Sequence, residues 1–444
     1  MKLTEFFTSD YCNYASYDNY RKIASYIDGL KPSARKAIHT VIKNNIKEPI
    51  KLSQLASKIA EQTEYLHGEC SLFGVITGLA QDFVGANNIP LLKREGNFGS
   101  RLIPEPSAAR YIFTCKEDVL DIIFCPEDSP VLIEQEFEGT KIEPRFFAPT
   151  VPLLLINGSE GISSGFAQKI FARNPKEIIK AIKDMLRGKT SSAKLVPWFR
   201  GFAGKVKETD PGSYEILGCA EIVNSSTVRV TELPVGTDLK SYIDHLNKLE
   251  ERDKISGYSD FSNDGKFEFE IKFRRDVLKK LEKNYDLLNF LKLIKRITEN
   301  YTVLDENLKI KTFKSALELL DAYVKIRKEY YLKRKAYLAE KYDRELAILV
   351  SKLTFVHGII TESIVVNKKA EEDVIKQLNK IDKIIEVDGS YYYLLHMPIN
   401  SFTKEKLVAL KEQIDAKKKQ LESILKKKVE DLWSDDLEKL EKEI

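Results

Sequence analysis

A stripe of apolar residues in the last third of the chain limits its shape more than any other feature. Leu317, Leu320, Val324, Tyr331, Leu338, Tyr342, Leu346, Leu349 and Leu353 recur mostly at intervals of three, four or seven residues. That spacing keeps side chains on one helical face and predicts a single helix of about 45 residues, roughly 65 Å long. A chain can travel far from its core along such a rod. Thr403 then supplies an N-cap for a returning helix in which Leu407, Leu410, Ile414, Leu421 and Ile424 repeat by heptads. The two helices are expected to pair antiparallel, with a small globule at about 360–402 at their tip. Read alone, this stripe is ordinary core, and a pure scaffold role explains residues 312–444 only.

The rest of the chain reads differently. The first 140 residues break into short helical segments separated by Gly and Pro, including Leu52 to Gln62 and Ser71 to Phe83, a pattern compatible with a winged-helix unit. Four β-rich runs follow, at Tyr214 to Leu217, Ala220 to Val223, Thr227 to Thr231 and Phe267 to Phe273, bounded by Gly, Asn or Pro. The expected fold is therefore α+β and multidomain, with boundaries near 145 and 311. At 43% hydrophobic residues the 444-residue chain is neither disordered nor fibrous. Its formal net charge of +4 conceals basic clustering in the first 110 residues, so a local basic groove remains compatible with the total. The five cysteines stand singly, without metal-type pairing, which argues for a reducing compartment and no zinc. With no cleavable signal pattern and no apolar run near 18 residues, the expected location is cytoplasmic, the host cytoplasm if the source is viral.

The chemistry concentrates in Arg94-Glu95-Gly96-Asn97-Phe98-Gly99-Ser100 and in Ser107-Ala108-Ala109-Arg110-Tyr111, where a tyrosine stands beside a guanidinium just beyond a glycine-rich turn. A tyrosine hydroxyl has a pKa near 10, so only about one in a thousand is ionised at neutral pH, and as a nucleophile it needs adjacent positive charge. Arg110 carries a permanent one. Among 20 tyrosines a chance Arg-Tyr pair is usually a packing pair, so the Gly-Asn-Phe-Gly-Ser context gives this one its meaning. Upstream stand Arg21, Asp28-Gly29-Leu30-Lys31-Pro32, Arg35, Lys36 and His67-Gly68-Glu69. A Gly turn followed by a Pro-started helix would present Lys31, Arg35 and Lys36 on one side, suited to backbone phosphates, although alone these cations fit a solvated helix start. Downstream, Asn157-Gly158-Ser159-Glu160-Gly161-Ile162-Ser163-Ser164-Gly165 forms a second glycine-rich loop.

In order and spacing these elements resemble the breakage-reunion region of type IIA DNA topoisomerases. The resemblance runs over roughly residues 11 to 444. Pro197-Trp198-Phe199-Arg200-Gly201-Phe202 and Thr231 to Thr237 look like tower elements. Tyr393 to Lys406 and Asp431-Leu432-Trp433 look like the exit gate of the eukaryotic and viral branch. It implies a winged-helix DNA-gate domain at 1–145, an α/β tower at 146–311, and an antiparallel coiled coil at 312–444 whose globule closes a homodimer. It implies that Tyr111 becomes joined to a DNA 5′ phosphate, with Arg110, Arg21 and His67 around the scissile phosphate. Lys31, Arg35, Lys36, Arg94 and Arg101 would hold the backbone of double-stranded DNA, and Ile162 would wedge between base pairs. Ala34, Tyr65-Leu66 and Cys70 depart from the pattern and bear on the finer DNA contacts.

Gly188-Lys189-Thr190 lacks the glycine five residues earlier that a phosphate-binding loop requires, and no Asp-x-Asp pair of the family's magnesium type is present. Mg²⁺ and ATP are accordingly expected on a large partner subunit, as in the two-component enzymes, with the medium subunit of T-even-like phages the nearest pattern. The wrapping β domain found in the DNA-cutting chains of gyrases is not seen, so relaxation and decatenation without supercoiling is the expected outcome. The competing expectation is a catalytically idle DNA-bridging protein, which would have no need of Arg110, Tyr111 and His67.

Overall fold

The computed structural model describes residues 3–189, 193–263, 265–281 and 284–444. They form two compact units, one of Met1–Lys328 with Trp433–Ile444, the other of Glu329–Leu432.

In the first unit, helices Pro32–Lys43, Leu52–Gln62 and Glu69–Ala80 pack on one another. Pro32 presets the backbone of the first turn, and Leu52, Leu55, Ala56 and Ile59 form a fully buried stripe at helical spacing. The third helix begins two residues earlier than the Ser71 expected from sequence and ends at Ala80. Glu69 suits the positive helix N-terminus, and the Asn87 side-chain amide donates to the carbonyls of Gly78 (2.6 Å) and Gln81 (2.8 Å), closing the other end. Strand Phe113–Lys116 lies between Ile50–Lys51 and Leu92–Glu95, antiparallel to both. Three helices and a small antiparallel sheet thus make up this part of the first unit.

Farther along, Cys219–Asn224, Thr227–Glu232, Phe269–Lys272 and Gly257–Asp260 form a four-stranded antiparallel sheet in that order, and Ser213–Leu217 pairs with both Lys205–Asp210 and Ile294–Thr298. The four runs read from sequence are strands here. Lys205–Asp210 and Gly257–Asp260 were not legible because they are edge strands with mostly polar, exposed side chains, and pairing alone defines them. The first unit closes on Trp433, Leu437 and Leu440, all buried; the Trp433 indole N–H donates to the carbonyl of Thr150 at 2.9 Å.

The long helix spans Ala316–Ile360, 45 residues. It starts four residues after the change of composition because Ile310–Phe313 is a strand paired with Tyr301–Leu304. A reciprocal cap sets the start: the Glu318 amide donates to Ser315 Oγ (3.2 Å) and the Lys314 amide to the Glu318 carboxylate (2.7 Å). Within the second unit the returning helix Lys404–Lys426 runs antiparallel to it. Lys335 donates to the carbonyls of Leu425 and Lys427, and Lys417 pairs with Glu345 at 2.6 Å while lying over the Tyr342 ring. Thr403 caps the returning helix as expected. Phe355 near the end of the long helix forms a separate small core with Ile364, Val374, Leu378, Ile384, Tyr391 and Leu394 from the segment between the two helices.

Candidate nucleic-acid cleavage site

Tyr111 lies two residues before strand Phe113–Lys116, at the end of a loop whose shape follows from its residue types. Phe98 is fully buried and anchors the loop. Gly99 has φ +85°, and a Cβ there would lie 2.2 Å from the carbonyl oxygen of Pro104, so no side chain fits. The Asn97 side chain accepts from the Gly99 amide and its carbonyl accepts from the Ser107 amide, both at 2.9 Å. The amides of Leu52 and Ser53 donate to the carbonyls of Ile112 and Ala109, tying the segment to the second helix. On this fixed base the Tyr111 side chain is 65% exposed, and the Arg110 guanidinium stands 4.9 Å from its ring centroid. An exposed phenol with a permanent cation over its ring is suited to approach an anion.

A second cluster comes from helix Asp10–Lys22 and the His67 loop. The Arg21 guanidinium lies 5.7 Å from the ring centroid of Tyr17, the Tyr17 hydroxyl is 3.0 Å from His67 Nε2, and Tyr65 meets the His67 ring edge-on. Partial burial, then the charge of Arg21, pushes the His67 imidazole below its usual pKa. Arg21 and His67 are thus brought together through Tyr17, which the sequence reading missed. Its position four residues before Arg21 on one helix was the available signal. Among the described residues, no hydrogen bond or ion pair joins this cluster to Arg110 or Tyr111.

The cations divide. The expectation that Lys31, Arg35 and Lys36 share one exposed side is not met. Arg35 is buried, donating bidentately to Asp28 (2.7 and 3.1 Å) and to the Leu30 carbonyl (2.9 Å). Asp28, fully buried, also accepts from the amides of Leu30 and Phe147. Asp28-Gly29-Leu30-Lys31-Pro32 is therefore an internal brace; a Cβ on Gly29 would lie 2.4 Å from the Leu154 amide nitrogen. Lys36 is held by Glu143 and the Thr63 carbonyl. Arg101 is buried as well, paired with Glu232, donating to the Leu233 carbonyl and packed on Phe202 and Phe267. Arg94, 44% exposed beside Asp82, and Lys31, whose ammonium donates to the Glu160 carbonyl, remain nearer the surface.

Ile162 is 75% exposed at the end of the hairpin formed by Ser159–Ile162 and Ala167–Ile170, with Phe166 beside the same turn. A Cβ on Gly161 would lie 2.0 Å from the Lys22 carbonyl, so the hairpin packs directly on the helix bearing Tyr17 and Arg21. Asp18 locks the two: it pairs with Lys22 and accepts from the Ser164 amide and the hydroxyls of Ser163 and Ser164. Lys22, then Ser164 and Ser163, draw the Asp18 carboxyl down from 3.8 to about 2. A depressed carboxylate stabilises the fold above its unfolded pKa, so the lock should be complete above about pH 4 and be lost as the pH falls toward about 2. In Asp18→Ala the Ser164 amide should exchange with solvent faster at neutral pH and lose its acid dependence below about pH 4. Exchange identical to the parent would show that the contact holds nothing.

No group of three or more His, Cys, Asp or Glu side chains among the described residues could hold a metal ion. Thr190 of the Gly188-Lys189-Thr190 triplet lies outside the described residues. No helix among the described residues is long and apolar enough to cross a membrane.

The sequence profile of the DNA gyrase/topoisomerase IV family, that of its A-type subunits, matches residues 21–438. The chain is 34% identical to mitochondrial DNA topoisomerase 2 of Dictyostelium discoideum over 98% of its own length and 35% of that protein's. It is 31% identical to DNA topoisomerase 2 of Saccharomyces cerevisiae over 99% of its length and 34% of that protein's. It thus spans about a third of the length of these curated relatives. A crystal structure of the DNA-binding, cleavage and re-ligation domain of Plasmodium falciparum topoisomerase II superposes with a TM-score of 0.90 at 34% identity, covering 98% of this chain and 64% of that one.

Proposed function

This chain belongs to the type IIA topoisomerase family that includes the DNA-cutting subunits of DNA gyrase and topoisomerase IV, and on that premise we propose that it cuts and reseals duplex DNA through Tyr111. The observation that carries the reading is the exposed Tyr111 side chain, at the end of a hydrogen-bonded loop, with the Arg110 guanidinium over its ring. The phenol oxygen attacks phosphorus in line. The phenol gives up its proton to solvent as its oxygen bonds to the 5′ phosphate, the bond to the neighbouring O3′ breaks, and the departing 3′ oxygen takes up a proton from solvent. The energy of the phosphodiester is kept in the new ester, so the 3′ hydroxyl reseals the strand by the reverse step without a nucleotide. Arg110 and Arg21 offset charge on the non-bridging oxygens, and His67 orients the phosphate. Arg94 and Lys31 are the backbone contacts we retain; Arg35, Lys36 and Arg101 shape the surface from within.

Each half of a homodimer cuts one strand. Ile360, Val365, Val366, Tyr392 and Ile399, all exposed and the last 90% so, support self-association at the globule of the second unit. Family members use Mg²⁺ and ATP; we assign both to a larger partner subunit, on the sequence pattern that lacks an Asp-x-Asp pair and a complete phosphate-binding loop. The complete complex should relax supercoiled plasmid and decatenate linked circles with ATP. A properly assembled complex that binds DNA but does neither would contradict the assignment.

Ile162 is the proposed wedge. Unstacking a base step costs about a few kcal/mol, which the inserted side chain must offset. Ile162→Ala should reduce DNA bending, read by fluorescence transfer between labelled ends, and lower cleavage in parallel. Bending equal to the parent would remove Ile162 from this role.

A further inference from the structure

We propose that Tyr17 is a positioning residue for His67, donating its phenol proton to Nε2 so that Nδ1–H is the group presented to the scissile phosphate. The inference rests on the reading above, in which His67 faces that phosphate.

The geometry is specific. The Tyr17 hydroxyl lies 3.0 Å from Nε2, whereas Nδ1 makes no hydrogen bond among the described residues. A non-bridging phosphate oxygen only accepts hydrogen bonds, so the ring nitrogen that meets it must carry a proton. In a neutral imidazole the other nitrogen is then an acceptor and needs a donor; the Tyr17 hydroxyl is the one in reach. The ring is kept neutral by its surroundings. Partial burial and the Arg21 charge both hold its pKa low, and the groups facing it are Tyr17 and Arg21 from helix Asp10–Lys22 and Tyr65 from its own loop. The Arg21 guanidinium in turn lies over the Tyr17 ring, 5.7 Å from its centroid. The three residues form a relay in which the cation fixes the phenol and the phenol fixes the imidazole tautomer.

Tyr17→Phe deletes the hydroxyl and keeps a ring beneath Arg21, so it isolates the hydrogen bond. Without the donor the neutral ring is free to carry its proton on Nε2, which turns a lone pair toward the phosphate. Protonation removes the choice, because an imidazolium donates from both nitrogens. In the complete DNA-cleaving complex, Tyr17→Phe should lower the cleavage rate about tenfold near pH 8, with DNA affinity within about twofold, and the deficit should shrink as the pH falls below the ordinary imidazole range. Histidine-selective ¹⁵N spectra of the full chain should show His67 as the Nδ1–H tautomer in the parent and as a mixture or the Nε2–H form in the variant. A rate deficit equal at every pH overturns the proposal, and so does an unchanged tautomer. If the parent complex forms no covalent DNA adduct, the cleavage reading fails by itself, and the spectra still decide the role of Tyr17.

Discussion

Tyr111→Phe is expected to abolish strand cleavage and plasmid relaxation altogether while leaving DNA affinity within about threefold of the parent. The substitution removes one oxygen atom, and that atom is the nucleophile. The ring keeps its place beside Arg110, the loop keeps Phe98, Asn97 and its glycines, and Arg94 and Lys31 are untouched. Binding and chemistry should therefore separate cleanly. A relaxation assay on the purified variant complex, paired with a binding titration at one fixed salt concentration, makes the measurement. Relaxation at the parental rate would rule out Tyr111 as the attacking residue.

Asp28→Ala should produce the largest loss of stability. The fully buried Asp28 carboxylate receives two donors from Arg35 and one amide each from Leu30 and Phe147. Its removal leaves a buried guanidinium without its counter-charge, a change that costs about 3–5 kcal/mol. Denaturant unfolding should show the first unit melting well before that of the parent. Arg94→Ala offers the contrast: its side chain is 44% exposed, so stability should stay within about 0.5 kcal/mol while DNA affinity and its salt dependence fall. If Asp28→Ala unfolded like the parent and lost only DNA binding, the Asp-Gly-Leu-Lys-Pro element would be a DNA contact, as its sequence first suggests.

That contrast shows where sequence was sufficient and where it was not. Periodicity located the long helix because a one-sided stripe sustained from Leu317 to Leu353 admits no other regular structure, and Thr403 capped its partner as a threonine before a helix should. The loop before Tyr111 was legible through its glycine-rich context, since positive φ and close backbone approach restrict what can stand there, whereas Ile162 was marked by the family resemblance alone: on its residue type it reads as core, and it is 75% exposed. The direction of a side chain was not legible. Arg35 and Arg101 read as phosphate ligands because an arginine on a short helix or loop is usually exposed, yet Asp28 and Glu232 draw them inward from partners 7 and 131 residues away. Tyr17 was missed because its partner His67 lies 50 residues on, and the one local hint was Arg21 four residues later on the same helix.

Covalent attachment of Tyr111 to DNA is the step on which the proposed function stands. Incubating the complete complex with end-labelled duplex, trapping with detergent, digesting with protease and sequencing the labelled peptide tests it most directly. A single adduct is expected, on Tyr111, linked to the 5′ end of the cut strand and absent from Tyr111→Phe. An adduct on another residue, or attachment to the 3′ end, would contradict it.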